Sequence, residues 1–477
     1  TAFIIQCGSA VSIPTPGDGT VSAAKIASGA VATAKLADDA VTSAKIADDA
    51  ITSALIADDA VVTAAIADDA ITSALIADDA VVTAAIADNA ITNALMADDA
   101  VGVAELSATG TASSSTYLRG DNSWATVSTS DTLSFRNLMI NGAMQIAQRG
   151  TSFADSTNEY TLDRWKFRNS SGTPAFTVTQ STESPDGFGN SLKVDCTTAD
   201  TSPSAGQACR LITKLEGYDL QVLAKGTSGA QASVLSFYVK TNKTGVYTVM
   251  LYDNDNSRIW SGSYTVGDTN WNRYTLAIPA DTTGAFGNDN NSSLEFYFGL
   301  SIGSDRTSGT LASSWASYAA ANEHVGQVNL ADSTSNEWHI TGIQLEVGAT
   351  ATDFEHRSYG DELLRCSRYF YAITGDEYDL PGIPTYANNA TTARAMVQVP
   401  VPMRTAPSYT GSATSMKVDS SDDSSSFNCN NLAISQPGTG NPCGFVLQYD
   451  AGGMTAGQAG MLEFTANSGF LQFSAEL

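Results

Sequence analysis

Eight near-copies of one decapeptide, V/I-x-x-A-x-I/L-A-D-D-A, run from Val21 to about Val101. That period restricts what the chain can fold into more than any other feature. Ten residues advance an α-helix by about 1000°, so equivalent positions slip by about 80° per copy. An apolar stripe slipping that fast circles the helix within about five copies, far from the usual coiled-coil pitch. Paired Asp, Thr and β-branched residues lower helix propensity further; single helical turns within a copy remain open, a continuous coiled coil does not. Brief β segments around Val41, Ile51, Val61 and Ile71, joined by turns at the Asp pairs 48–49, 58–59 and 68–69, fit the pattern better.

Such a unit has no core of its own and must bury its hydrophobes against neighbouring copies, or against the same copy in another chain. Half of the apolar positions are alanine, which makes a thin single-chain solenoid marginal. Three chains around a shared axis cover Val41, Ile46, Ile51, Ile56, Val61 and Ile66 and leave the Asp pairs wet. The stretch therefore reads as the shaft of a parallel homotrimer. The competing reading is a low-complexity acidic linker, but a linker needs no phased Val/Ile and Ile/Leu. Residues 31–100 hold thirteen Asp against Lys35 and Lys45, a formal charge of −11. Stacked carboxylates of that density attract loose counterions; "DDA" lacks the spaced oxygens of a calcium loop, and no bound metal or cofactor is expected.

The whole chain is acidic, with 50 Asp and Glu against 24 Lys and Arg in 477 residues. Nucleic-acid binding by phosphate neutralisation is excluded on that balance. No apolar run reaches membrane-spanning length, and "TAFIIQCGSAVSIPTPGDG" has no signal-peptide layout, so ordinary export is not expected. Cys7, Cys196, Cys209, Cys366, Cys429 and Cys443 contain no zinc spacing. Cys196–Cys209 and Cys429–Cys443 could each close a short loop, but assembly in cytoplasm favours free thiols.

After the repeat, residues 111–132 read as a Ser/Thr/Gly-rich neck, in which Arg119-Gly120-Asp121 suits a turn better than a cell-adhesion motif. From residue 133 the texture changes. "AFTVTQ", "SLKVDC", "VLSFYVKT", "GVYTVMLYD", "RYTLAIP", "SLEFYFGL" and "EWHITGIQLEV" alternate in polarity between turn-rich spacers. Residues 133–358 thus read as a jelly-roll-like antiparallel sandwich. "GDELLRCSRYFYAI" bridges to a second β-sandwich, 359–477, with strands in "CSRYFYAI", "ARAMVQVPVPM", "FVLQYDA", "GMLEFTA" and "GFLQFSAEL".

Three segments, "RNLMINGAMQIAQRGTSF" (Arg136–Phe153), "YTLDRWKF" (Tyr160–Phe167) and "GIQLEVGATATDFEHRSYGDELLRCSRYFY" (Gly342–Tyr371), occur in the order found in a module of tailed-bacteriophage fibres. The chain closely resembles a podovirus-like tail fibre over these residues, departing at Met139 and Met144, and its decapeptides resemble repeats of phage fibre stalks. The resemblance implies an elongated, mainly β homotrimeric fibre in the virion: shaft, carbohydrate-binding-type sandwich, then a receptor-binding tip. It also implies a host surface glycan or envelope receptor as partner. Residues 1–20 are too few for a substantial virion-attachment domain, so docking falls to a short peptide or to a tail adaptor or nozzle protein.

Catalysis is not expected. Glu323-His324 and Glu337-Trp338-His339 are places where a histidine meets acid or aromatic residues, and His339 lies in a strand pattern as a packing or sheet-face residue. Neither a G-x-S-x-G elbow nor a metal-binding histidine pair is present. A glycan-depolymerising tailspike is the alternative function. Glycan binding needs exposed rings beside polar groups. Trp260, Trp271, Trp315, Tyr318 and Trp338 are candidates in the first sandwich, with Tyr378, Tyr386, Tyr409 and Phe427 in loops of the second. Of these, Trp260, Trp271, Trp315, Tyr386, Tyr409 and Phe427 are the receptor-contact candidates. Loops of a terminal domain can vary without disturbing the scaffold, which puts specificity there, around "VDSSDDSSSFNCNN".

Overall fold

The computed structural model describes residues 14–78, 80–88, 90–92, 96, 108–113, 116–126, 135–170, 173–411, 415–420, 426–429, 431–436, 444–450, 452–467 and 469–477. Cys7, Cys443, most of the N-terminal attachment segment and much of "VDSSDDSSSFNCNN" lie outside them. The chain divides into a unit that holds the repeats and a unit that holds residues 125–477.

Each described repeat is made of two local turns. In one copy, a 3-10 turn at Ser43–Lys45 is closed by the Lys45 N–H donating to Thr42 O (2.9 Å) and the Ile46 N–H donating to Ser43 O (3.2 Å). A second turn closes where the Ala50 N–H donates to Ala47 O at 3.1 Å. Asp49 in that turn has φ 61°, as have Asp39, Asp59 and Asp69, while Gly19 and Gly29 take the place with φ 76°. The left-handed region admits Gly, Asn and Asp most readily, and the ninth residue of all eight copies is one of these three.

The Asp pairs therefore make turns, but the β segments expected beside them do not form. Among the described residues the repeat contains no strand: Val41, Ile51 and Val61 sit at bends. Two turns within ten residues leave no run long enough to pair. Nor does any backbone hydrogen bond among the described residues join one copy to the next. In the single chain the apolar positions stay open, with Val41, Ile51 and Val61 at 54%, 57% and 58% exposure and Ile46, Ile56 and Ile66 at 40%, 43% and 40%. Arg119-Gly120-Asp121 is a turn, between β1 (Thr116–Leu118) and β2 (Trp124–Thr126). The Asp121 carboxylate accepts from the Ser123 N–H (3.2 Å) and hydroxyl (2.6 Å).

Mainly β architecture holds in the second unit. Short β3 (Ser152–Phe153), β4 (Asn158–Tyr160) and β5 (Lys166–Asn169) lead into β6 (Ala175–Ser181), β7 (Ser191–Thr198) and β8 (Ala208–Glu216). A helical turn, α1 (Gly217–Leu220), precedes β9 (Ser233–Thr241), β10 (Gly245–Asp253), β11 (Arg258–Val266), β12 (Asn272–Ile278), β13 (Ser292–Ile302), β14 (Ala316–Ser317) and β15 (Glu337–Val347). They form a seven-stranded sheet, β14-β11-β10-β13-β8-β5-β4, and a six-stranded sheet, β12-β9-β15-β7-β6-β3. Alternation along the strands sends Phe176, Val194, Phe237, Phe298 and Trp338 into the space between the sheets, where they pack with Trp165 and Tyr247.

The segment from Tyr359 does not begin a strand at Cys366 as its sequence suggested. It is a helix, α2 (Tyr359–Ser367), because the Ser358 hydroxyl caps it by accepting the Asp361 N–H and two acids occupy its first turn. Strand structure resumes at β16 (Phe370–Gly375). There follow β17 (Pro384–Ala387), β18 (Thr392–Gln398), β19 (Ser408–Gly411), β20 (Met416–Ser420), β21 (Ser426–Asn428), β22 (Asn431–Gln436), β23 (Gly444–Asp450), β24 (Ala459–Phe464) and β25 (Gly469–Ser474). Three strands, β16-β25-β19, and seven, β21-β20-β24-β17-β18-β23-β22, pack around Val397, Leu462, Phe464, Leu471 and Phe473.

The three fibre-like segments meet in one buried polar network. Asn141 donates to Ile146 O and Asp163 O, each at 2.9 Å, and accepts the Ile146 N–H, while its own carbonyl accepts the Trp165 indole N–H. Glu355 accepts from the Phe135 and Asn137 backbone, and Glu362 from the Asn141 N–H. Gly142 is obligatory there: a Cβ would lie 2.1 Å from Ile343 O. The chain end joins in, since Glu476 ion-pairs with Arg149 (3.0 Å) and with Arg164, whose guanidinium lies 3.5 Å from the Tyr369 ring. Cys196, Cys209, Cys366 and Cys429 are free and buried. Burial pushes the thiols of Cys196 up to about 11 and of Cys209 and Cys429 to about 12.

Candidate functional site

The receptor-contact candidates scatter over the second unit. Trp260 does not reach the surface: it is buried, its indole N–H donates to Ser313 O at 3.1 Å, and Gly262 leaves room for its ring. Trp338 is likewise part of the core. Both follow from strand parity, which turns these tryptophans inward. Trp315 is half-buried, donates to Pro279 O (3.0 Å) and lies 5.3 Å from the buried Lys225 ammonium, which Asp253 and Asp281 hold at 2.6 and 3.0 Å. Tyr318 donates to Glu323 at 2.7 Å. In the C-terminal sandwich, Tyr409 packs on Phe473 with its hydroxyl buried, and Phe427 packs on the core beside Val418 and Met454. Tyr378 and Tyr386 are exposed, and the Tyr386 hydroxyl accepts from Arg394 at 3.2 Å.

Trp271 has different company. It stands just before β12, at the edge of the six-stranded sheet, with its ring 5.9 Å from that of His339 at an interplanar angle of 77°. Because Trp338 points into the core, His339 points to the outer face. Its β15 register sets it opposite Lys193 on β7 and Lys240 on β9. Glu337, two residues along, shares that face, and Glu183 reaches it from the loop between β6 and β7. Each carboxylate gives one oxygen to a lysine: Glu337 Oε2 lies 2.6 Å from Lys193, and Glu183 Oε1 is paired with Lys240. The other oxygen of each faces His339 Nε2, at 3.6 Å from Glu337 and 3.7 Å from Glu183.

Electrostatics follow from those contacts. The hydrogen bond from Lys240 holds the Glu183 carboxyl below the usual range, and that from Lys193 does the same for Glu337. Burial lowers the pKa of His339 against the pull of both carboxylates. Among the described residues, His339 and these two acids are the group whose donor atoms converge as metal ligands do, within 4.8 Å of one another.

A second cluster adjoins the first. Gly342, at φ 63° in the irregular part of β15, makes room for Phe188 and Tyr238; a Cβ there would lie 2.7 Å from the Phe188 ring. Phe188 contacts Tyr238, Phe354 and His356 with ring centroids 5.3, 5.0 and 5.1 Å away. The opposite sheet is less open. Residues 303–330 run across its outer face, where Glu323 accepts from Arg210 and Arg306 and His324 is fully enclosed. Of the rings selected from sequence only Trp271 falls on the outer face described here. Tyr238 reads from sequence only as a core or sheet-face residue, and Glu183, Phe188, Lys193 and Lys240 went unread because they come from separate segments; strand parity was the available signal for Lys193, Tyr238 and Lys240.

The sequence matches no family model and no curated protein. Solved structures resemble part of the fold. A Bacteroides thetaiotaomicron protein aligns at 12% identity over 44% of this chain and 100% of its own, with a TM-score of 0.27. The family 11 carbohydrate-binding module of a Clostridium thermocellum cellulosomal cellulase aligns at 11% identity over 42% of this chain and 97% of its own, TM-score 0.23. That module was also solved with a β-1,3-1,4-mixed-linked tetrasaccharide, at the same identity and score over 98% of its length. Identity and score are too low for such likeness to carry a function across.

Proposed function

We propose that this chain is a subunit of a tailed-phage fibre that adheres to a host surface glycan, and that the outer face of the six-stranded sheet makes the contact. The observation that carries the adhesion reading is the composition of that face. Half-buried Phe188, Tyr238 and Trp271 offer ring surface for sugar C–H groups, and Lys193, Lys240, Glu183 and Glu337 beside them offer donors and acceptors for hydroxyls. The fibre reading is supported by the decapeptide array, whose hydrophobes need cover that a single chain does not supply, and by the fibre-like segments in residues 136–371. A tail adaptor or nozzle protein remains the partner proposed for the N-terminal end.

Adhesion is favoured over a depolymerising tailspike. Glycoside hydrolysis needs one carboxyl with a raised pKa to act as acid; here both Glu183 and Glu337 are held down by lysines. Incubating the full-length protein with host polysaccharide tests both points. Retention without shortening of the polymer is expected, with Tyr238→Ala and Trp271→Ala each weakening it by about tenfold or more. Shortening of the polymer would establish the tailspike instead. Unchanged retention in both variants would move the contact off this sheet, to exposed rings such as Tyr386.

A further inference from the structure

We infer that His339, Glu183 and Glu337 form a binding site for a divalent transition-metal ion, Zn2+ being the type. The inference does not depend on glycan adhesion. It starts from a tautomer. The Ser191 hydroxyl donates to the Glu183 backbone carbonyl at 2.6 Å, so its one proton is committed. Ser191 Oγ also lies 3.3 Å from His339 Nδ1, and with that proton spent it acts there as acceptor. The imidazole therefore carries its proton on Nδ1 and presents a bare lone pair at Nε2.

That lone pair has no donor to meet. The His339 side chain is 1% exposed, and Nε2 is a buried polar atom without a hydrogen-bond partner. What it faces are two carboxylate oxygens, one from Glu337 and one from Glu183. Three lone pairs converging in a half-enclosed place repel one another unless a cation stands between them. The three donor atoms lie within 4.8 Å of one another, and Glu183, whose side chain is 46% exposed, has the freedom to close on an ion. The surroundings match those of a metal-ligating histidine, whose other ring nitrogen donates to an outer acceptor, here Ser191. Lys240 and Lys193 hold the far carboxylate oxygens and so aim the near ones. One imidazole with two carboxylates suits Zn2+ and its first-row neighbours, whereas Ca2+ takes oxygen alone. Three protein ligands leave a coordination position open to solvent.

Calorimetric titration of the full-length, chelator-washed protein with ZnCl2, read beside the visible absorption of a Co2+ titration, tests this. One Zn2+ per chain is expected. Binding should be lost in His339→Ala, fall by about tenfold or more in Glu183→Gln and Glu337→Gln, and persist in His356→Ala. Glu183 is exposed enough that its variant folds even if His339→Ala does not. Absence of Zn2+ binding, equal binding by the wild type and the Glu183→Gln and His339→Ala variants, or equal competition by Ca2+ would overturn the assignment.

Discussion

His324 and His339 lie on the outer sides of opposite sheets of one sandwich, and their surroundings differ. His324 is wholly enclosed between the segment 303–330 that carries it and the sheet, with Nδ1 2.8 Å from the Thr248 hydroxyl. Burial first, then the Arg210 and Arg306 charges, hold its pKa well below 6.5. It is neutral in the fold but takes a proton in the unfolded chain below about pH 6.5. Its contribution is thus fully present above that pH and lost as pH falls toward the folded-state pKa. Thermal midpoints measured between about pH 7 and pH 5 should fall more steeply in the wild type than in His324→Asn; parallel curves would refute the account. Gly142 supplies a second test at this scale. Gly142→Ala forces a methyl against Ile343 O and should cost about 3 kcal/mol in urea unfolding. The sequence marked this asparagine-glycine pair as a motif, yet its task, packing two distant backbones together, depends on a partner two hundred residues on and could not be read locally.

Among the elements, alternation in the sequence rather than exposure decided which strands were legible. β6, β7 and β15 alternate visibly, β15 although it is buried along nearly all its length, whereas β8, buried likewise, runs Ala-Cys-Arg-Leu-Ile-Thr-Lys-Leu-Glu and its polarity carries no period of two. β11 was hidden differently: Ser261, Gly262 and Ser263 interrupt it, the glycine making room for Trp260. The closing segment after β25 is held by ionic contacts that no periodicity announces. Glu476, 5% exposed at its side chain, pairs with Arg164 at 1%. Removing the acid strands a buried guanidinium, so Glu476→Ala should destabilise the second unit by about 3–5 kcal/mol. The denaturant midpoint checks this, and a loss near zero would mean that the Arg164–Tyr369 contact suffices alone.

For the molecule as a whole, the repeat array decides most. Homotrimeric assembly predicts a solution mass three times 49.7 kDa, and a monomer at micromolar concentration would defeat it. Replacing Ile46, Ile56 and Ile66 together by Asp should make the array protease-sensitive, because charge then enters whatever surface covers them. Replacing Asp48, Asp58 and Asp68 by Asn should change little, since all three are exposed and precede the left-handed position. The period of the array was plain from sequence. Its backbone was not, because a ten-residue unit with two turns obeys neither helix nor strand periodicity.

Local closure of the decapeptide has an evolutionary consequence. Among the described residues every backbone–backbone hydrogen bond of a copy ends within that copy, so gaining or losing ten residues breaks none of them in the copies that remain. Near-identical units also invite unequal exchange between the DNA that encodes them. Copy number is therefore free to drift in whole steps without touching the sandwiches, and selection can change the length of the array independently of them.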